Sequence, residues 1–150
     1  MKVYIAGPLF TLAERRFNED LARLLTEENH AIEVILPQAD DAKVALAPEL
    51  NREIYQRCMN QLDAADAVVA ILDGPDADSG TCIEMGYAKA RGKLIIGIRT
   101  DFRKSQDRGS NIMVAGACSR LVVRSSVDVT LEDIVREVAR IIVGELPSVA

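Results

Sequence analysis

Short apolar runs alternate with longer amphipathic stretches along the chain, a pattern that predicts βα units around a mostly parallel sheet. Val3–Ala6 reads as a first strand and ends at the Gly7-Pro8 turn. From about 13 to 28, Phe17, Leu21, Leu24 and Leu25 recur on one helical face with Arg and Glu opposite. Ile32–Leu36 is a short second strand closed by Pro37, and Gln38–Ala47, rich in acids and small residues, reads as a loop. Pro48 suits the first position of a helix running to about Leu62, with Leu50, Ile54, Met59 and Leu62 facing inward. Ala67–Leu72 is nearly continuous apolar, as a central strand covered on both faces requires. A polar loop follows it, and Gly80-Thr81 opens a helix that closes at Arg91-Gly92. Leu94–Ile98 and Leu121–Val123 complete five strands, and Thr100–Ser110, charged and glycine-containing, reads as the most mobile loop. Thr130 and Asp133 resemble a capping box, ahead of a helix with Leu131, Ile134, Val135, Val138, Ile141 and Ile142 on one face. The expected fold is a single domain over residues 1–150, a flavodoxin-like, doubly wound α/β sheet with helices on both faces.

Composition narrows the function. The chain of 150 residues is 49% hydrophobic, enough for one core, yet has no run of about 18 apolar residues to span a membrane. Its first apolar stretch is too short for an export signal, and three cysteines without a CxxC suggest reduced thiols, so the expected location is cytoplasmic. A single histidine, His30 in a turn, rules out a His-based zinc site or a Ser-His-Asp triad. A net charge of −5 with no Trp and few aromatics argues against a nucleic-acid polymer as partner. Neither GxGxxG nor GxxxxGK[ST] occurs, so no dinucleotide or P-loop cofactor is expected. Asp76-Ala-Asp78-Ser-Gly80 has only a faint likeness to a calcium loop, and no metal is expected. The chemistry falls to carboxylates.

Ligands of open parallel sheets bind beyond the carboxyl ends of the strands. Of three segments so placed (Ala6–Phe10, Asp73–Glu84 and Thr100–Met113), the second is richest, with four carboxylates in twelve residues. Glu84 stands among Cys82, Ile83, Met85 and Gly86, so it is either a satisfied helix acid favoured by the macrodipole or a working one. Gly80 and Gly86 allow close approach near it, and Asp78 could turn toward the same cavity. Two carboxylates with separate roles are what glycosyl chemistry asks for. Tyr4 fits plain core as well as a site, and Cys58, Cys82 and Cys118 fit small buried hydrophobes.

Four segments taken in order, Lys2–Phe10 (KVYIAGPLF), Ala65–Gly74 (ADAVVAILDG), Asp78–Ala88 (DSGTCIEMGYA) and Gly92-Lys93, resemble the nucleoside 2-deoxyribosyltransferases. The likeness runs to about Met113, and its most specific part is DSGT-x-x-E-x-G-Y-A. It implies base exchange on 2′-deoxyribonucleosides, with deoxynucleosides and free nucleobases as partners, no cofactor, and a homo-oligomer with shared active sites. By that resemblance Glu84 is the nucleophile and Tyr4 its hydrogen-bond donor. Asp78 and Asn111 hold the sugar hydroxyl side, with Asn111 coming from a neighbouring subunit. Phe10 lines the base pocket, Met113 shares the Asn-x-Met segment, and Gly7, Gln38, Cys58 and Gly80 complete the substrate-binding positions. One departure stands out. Where the family often has an aspartate near the leaving base, this chain has Cys58, whose thiol is a poor proton donor. Either another acid, Asp40, Asp41 or Asp63, protonates the base, or the base preference differs.

Two other readings compete. A deoxynucleoside 5′-monophosphate N-glycosidase would use the same fold, but Asp78 stands where such relatives place a phosphate-binding serine. A non-catalytic nucleotide-binding domain is the third reading, since fold alone assigns no function.

Overall fold

The computed structural model describes residues 1–38, 51–103 and 111–146. Among the described residues ten elements follow one another: β1 (Lys2–Ala6), α1 (Leu12–Glu28), β2 (Glu33–Ile35), α2 (Asn51–Ala64), β3 (Ala67–Ile71), α3 (Ser79–Ala90), β4 (Leu94–Arg99), α4 (Ile112–Ala117), β5 (Arg120–Val123) and α5 (Leu131–Glu145). The strands form one parallel sheet in the order β2-β1-β3-β4-β5, the flavodoxin-like winding predicted above. Chain direction across the sheet reverses between β1 and β3, and that switch point is where a crevice opens at the carboxyl ends.

The pleat of the strands sorts the core into two layers. Val3 and Ile5 of β1 pack with Leu21 and Leu25 of α1 and with Ile134, Val138 and Ile142 of α5. Tyr4 and Ala6 face the other way, toward Leu62 of α2 and Met85 and Ala88 of α3. All five residues of β3 are buried, which explains its unbroken apolar run. Each buried Val or Ile there contributes about 1.5–3 kcal/mol. β4 passes so close to its cover that a Cβ on Gly97 would meet Cys118 Sγ at 2.7 Å, Leu72 Cδ1 at 2.8 Å and Leu121 Cδ1 at 2.9 Å.

Local signals set most boundaries. Thr130 and Asp133 do form a capping box, and Thr11 with Glu14 forms a second at the start of α1. On α2 only Leu62 is fully buried, while Ile54 and Met59 are half-buried; the predicted start at Pro48 and inward Leu50 lie outside the described residues. β2 is shorter than predicted. The helix α4 is an addition to the predicted elements. Its six residues, Ile-Met-Val-Ala-Gly-Ala, are too few to show a period, and Asn111 starts it by accepting from the backbone N–H groups of Met113 and Val114. Residues 39–47 of the first expected loop and 104–110 of the second lie outside the described residues. No described helix is long and apolar enough to cross a membrane.

Candidate active site

The site is built where β1 ends. Tyr4 is wholly buried in the sheet, but its hydroxyl emerges beside α3 and donates to Glu84 Oε1 at 2.5 Å. Glu84 lies in the second turn of that helix, not at its positive end, because Asp78 already occupies the cap. Asp78 Oδ2 accepts from the Thr81 backbone N–H at 2.9 Å and from Thr81 Oγ1 at 3.2 Å. A side chain at Gly80 would crowd that cap, its Cβ falling 3.0 Å from Asp78 Oδ2. The macrodipole reading therefore belongs to Asp78, and Glu84 is turned to a cavity.

That cavity has a volume of about 270 Å³, close to the small end of ligand sites. Glu84, Cys58 and Ile54 form one wall, Asn18, Gln38 and Pro37 another, and Gly7 and Phe10 lie at the turn between. Phe10 is 78% exposed, a ring at the mouth and not a core residue. Gly7 is forced by packing, since a Cβ there would stand 2.8 Å from Ile71 Cδ1.

Burial raises the Glu84 carboxyl to about 7; the Tyr4 hydroxyl pulls it back and the Asp78 charge adds to the rise. Burial and the neighbouring Glu84 hold the Tyr4 phenol far above its ordinary value, so it stays a proton-bearing donor. The Cys58 thiol shares the Tyr4 hydroxyl, and burial pushes it up as well. A thiol so held is neutral, a poor acid and an inert wall.

Other sequence candidates go elsewhere. Asp73 is a structural clamp: it accepts from the Thr100 N–H at 2.6 Å, Thr100 Oγ1 at 2.5 Å and the Asp101 N–H at 2.8 Å, tying the end of β3 to that of β4. Asp63 accepts from Tyr87 Oη and pairs with Arg91, away from the cavity. Asp40 and Asp41 lie outside the described residues. Asn111 caps α4, and Met113 lines a separate hollow with Cys82, Met85 and Gly86. Within one chain these two are not brought to Glu84. Asn18, which does line the cavity, escaped the sequence reading. Its signal was a polar residue three and seven positions before the buried Leu21 and Leu25, hence on the inward face of α1.

Fold and site define a doubly wound α/β protein with its ligand cavity at the switch point and a tyrosine-bound glutamate in the wall. Residues 3–128 match the family described as Nucleoside 2-deoxyribosyltransferase, and the chain belongs to that family. The uncharacterized protein UU063 of Ureaplasma parvum is 33% identical over 102 residues, 63% of either chain. The matches span less than two thirds of the length of the curated relatives. Among solved structures, a conserved protein from Enterococcus faecalis V583 is 28% identical, with a TM-score of 0.77, covering 93% of this chain and 98% of that one. A 2-deoxyribosyltransferase from Bacillus psychrosaccharolyticus shares the fold, at 18% identity, a TM-score of 0.70 and coverage of 89% and 90%.

Proposed function

We propose that the chain exchanges the base of 2′-deoxyribonucleosides by a retaining double displacement through a glycosyl ester of Glu84. The observation that carries this reading is the 2.5 Å bond from Tyr4 Oη to Glu84 Oε1 in the wall of the cavity. A carboxylate held by one donor keeps its other oxygen for attack. Glu84 Oε2 forms a bond to C1′ as the C1′–N bond breaks, and the electron pair leaves with the base nitrogen, which is protonated as it departs. An incoming base attacks C1′ from the vacated side, returns the electron pair to the Glu84 carboxylate and gives up its own N–H proton. Protons and configuration both balance. A sugar without a 2′-hydroxyl suits the scheme, because no electron-withdrawing oxygen opposes the oxocarbenium-like state.

Cys58 is not the proton donor to the departing base, and Asp63 is committed elsewhere, so the assignment passes to Asp40 or Asp41. Asp78 Oδ1 takes a sugar hydroxyl and repels a 5′-phosphate, which favours nucleosides over nucleotides. At about 4 Å that repulsion is about 4 kcal/mol per unit charge at intermediate dielectric. Asn111 and Met113 enter from a neighbouring subunit, making the working form a homo-oligomer; the setting is the cytoplasm, in nucleoside salvage. Incubation of deoxyinosine or thymidine with a different free base, followed by chromatography, tests the reading. A new deoxynucleoside is the expected product. Release of free deoxyribose alone would replace exchange with hydrolysis.

A further inference from the structure

One stripe of α2 runs from the cavity into the core. Asn51, Ile54 and Cys58 line the cavity, and Leu62, one turn further on, packs in the layer that holds Tyr4. Cys58 therefore stands where the stripe passes the Tyr4 hydroxyl, and its thiol is a hydrogen-bonding neighbour of that hydroxyl. Tyr4 has a single proton, already directed at Glu84 Oε1, 2.5 Å away. What Oη has left to offer are lone pairs. The thiol, kept neutral by burial, has a proton left to offer. Only S–H toward Oη joins the two, because the opposite sense would set lone pair against lone pair.

We propose, resting on the glycosyl-ester reading above, that Cys58 is a positioning residue: its S–H donates to Tyr4 Oη and so keeps the Tyr4 proton on Glu84. The three groups form a one-way chain, from Cys58 S–H to Tyr4 O–H to Glu84 Oε1. A hydroxyl that accepts one hydrogen bond donates the next more strongly, so the chain favours the charged form of the carboxylate. A thiol is a weak donor, which suits a supporting part. Two charged groups of the described residues also act on the chain. Asp78 at the start of α3 opposes the Glu84 charge, and Arg57 on α2 draws the Cys58 thiol down, by less than burial pushes it up. Cys58 thus does through Tyr4 what it cannot do as an acid. It leaves the base alone and readies the carboxylate that attacks C1′.

The test reads the thiol itself, in the full chain. Infrared spectra recorded with and without Cys58→Ser, and subtracted, isolate the Cys58 S–H stretch from those of Cys82 and Cys118. An acceptor lowers that frequency, so the band should rise when the same subtraction is made in Tyr4→Phe. In the wild type it should fall as the pH rises through 7, when the charged Glu84 draws on the chain, and it should stay in place in Glu84→Gln. A band unmoved by Tyr4→Phe would overturn the proposal whether or not exchange occurs. The second arm is kcat/KM for exchange against pH. Cys58→Ala should move the rising limb up by about half a pH unit, and Cys58→Ser, which still donates, should hold it near the wild-type position. Equal shifts in the two variants would overturn the proposal and make Cys58 a packing residue. The expected infrared shifts in a chain that exchanges no base would leave the hydrogen-bond chain standing and remove the glycosyl-ester reading instead.

Discussion

Replacing Glu84 with Gln should make the protein more stable above pH 7 and change little near pH 4.5. In the folded chain burial lifts this carboxyl from 4.5 to about 7, so the folded state holds its proton more tightly than the unfolded one. Stability from that proton is fully present below 4.5 and is lost as the pH rises through 7. Each tenfold change in proton affinity is worth about 1.4 kcal/mol, which sets the full loss at about 3 kcal/mol. The amide of the Glu84→Gln variant would keep an oxygen for the Tyr4 hydroxyl and carry no charge, so its curve lacks this loss. Urea denaturation followed by far-UV circular dichroism, at half-unit steps from pH 4.5 to 8.5, measures both proteins. All other titrating groups are common to the two and cancel in the difference. The stability gap should widen in favour of Glu84→Gln by about 2–3 kcal/mol across that range. A gap that stays flat, or opens in favour of the wild type, would mean that the folded chain does not penalise the charged carboxylate.

The same carboxyl gives exchange a rising limb near pH 7 in kcat/KM, and Tyr4→Phe, which removes the hydroxyl that favours the charged form, should move that limb to higher pH; an unmoved limb would separate Tyr4 from Glu84. Deoxynucleosides should exceed their 5′-monophosphates by about a hundredfold in kcat/KM, and Asp78→Ser, still a helix cap, should narrow that ratio; equal turnover in the wild type would move the glycosidase reading ahead. Mixing Glu84→Ala with Asn111→Ala subunits should restore part of the exchange in hybrid oligomers, and no recovery with hybrids shown to form would remove Asn111 from the neighbouring site. Gly97→Ala should cost about 1–3 kcal/mol through contacts on three sides, lowering Tm by several degrees in a thermal melt; an unchanged Tm would show that Cys118, Leu72 and Leu121 give way freely.

The sheet and its winding were legible because each strand and covering helix leaves a periodic trace, clearest in Ala67–Ile71 and in α5. Asp78 and Glu84 stood out as candidates for a different reason: they follow the end of β3, where the topology rule looks for ligands, while Tyr4, inside β1, was singled out by the resemblance alone. The rest depends on distances across the chain that no local window contains. Asp73 reads as one more carboxylate of the loop after the third strand until Thr100, 27 residues on, is seen to bind it. Asn18 looks like one more polar helix residue until Gln38 and Pro8 fix the direction of its amide. The six residues of α4 carry too little pattern to announce a helix.

The carboxyl end of β1 separates two groups of side chains hung on different helices, Asn18 on α1 and Glu84 on α3. The two share one cavity but not one layer: a substitution on α1 alters a wall of that cavity without touching the Tyr4–Glu84 bond. Divergence within this architecture therefore has an inexpensive route, in which the α1 wall of the cavity changes while the Tyr4–Glu84 pair on the other layer is kept. The converse is equally constrained. A side chain at Gly7 would press on Ile71 Cδ1 at 2.8 Å and stand 3.4 Å from Asn18 Oδ1, so a substitution in the turn after β1 is felt first on the α1 side of the sheet.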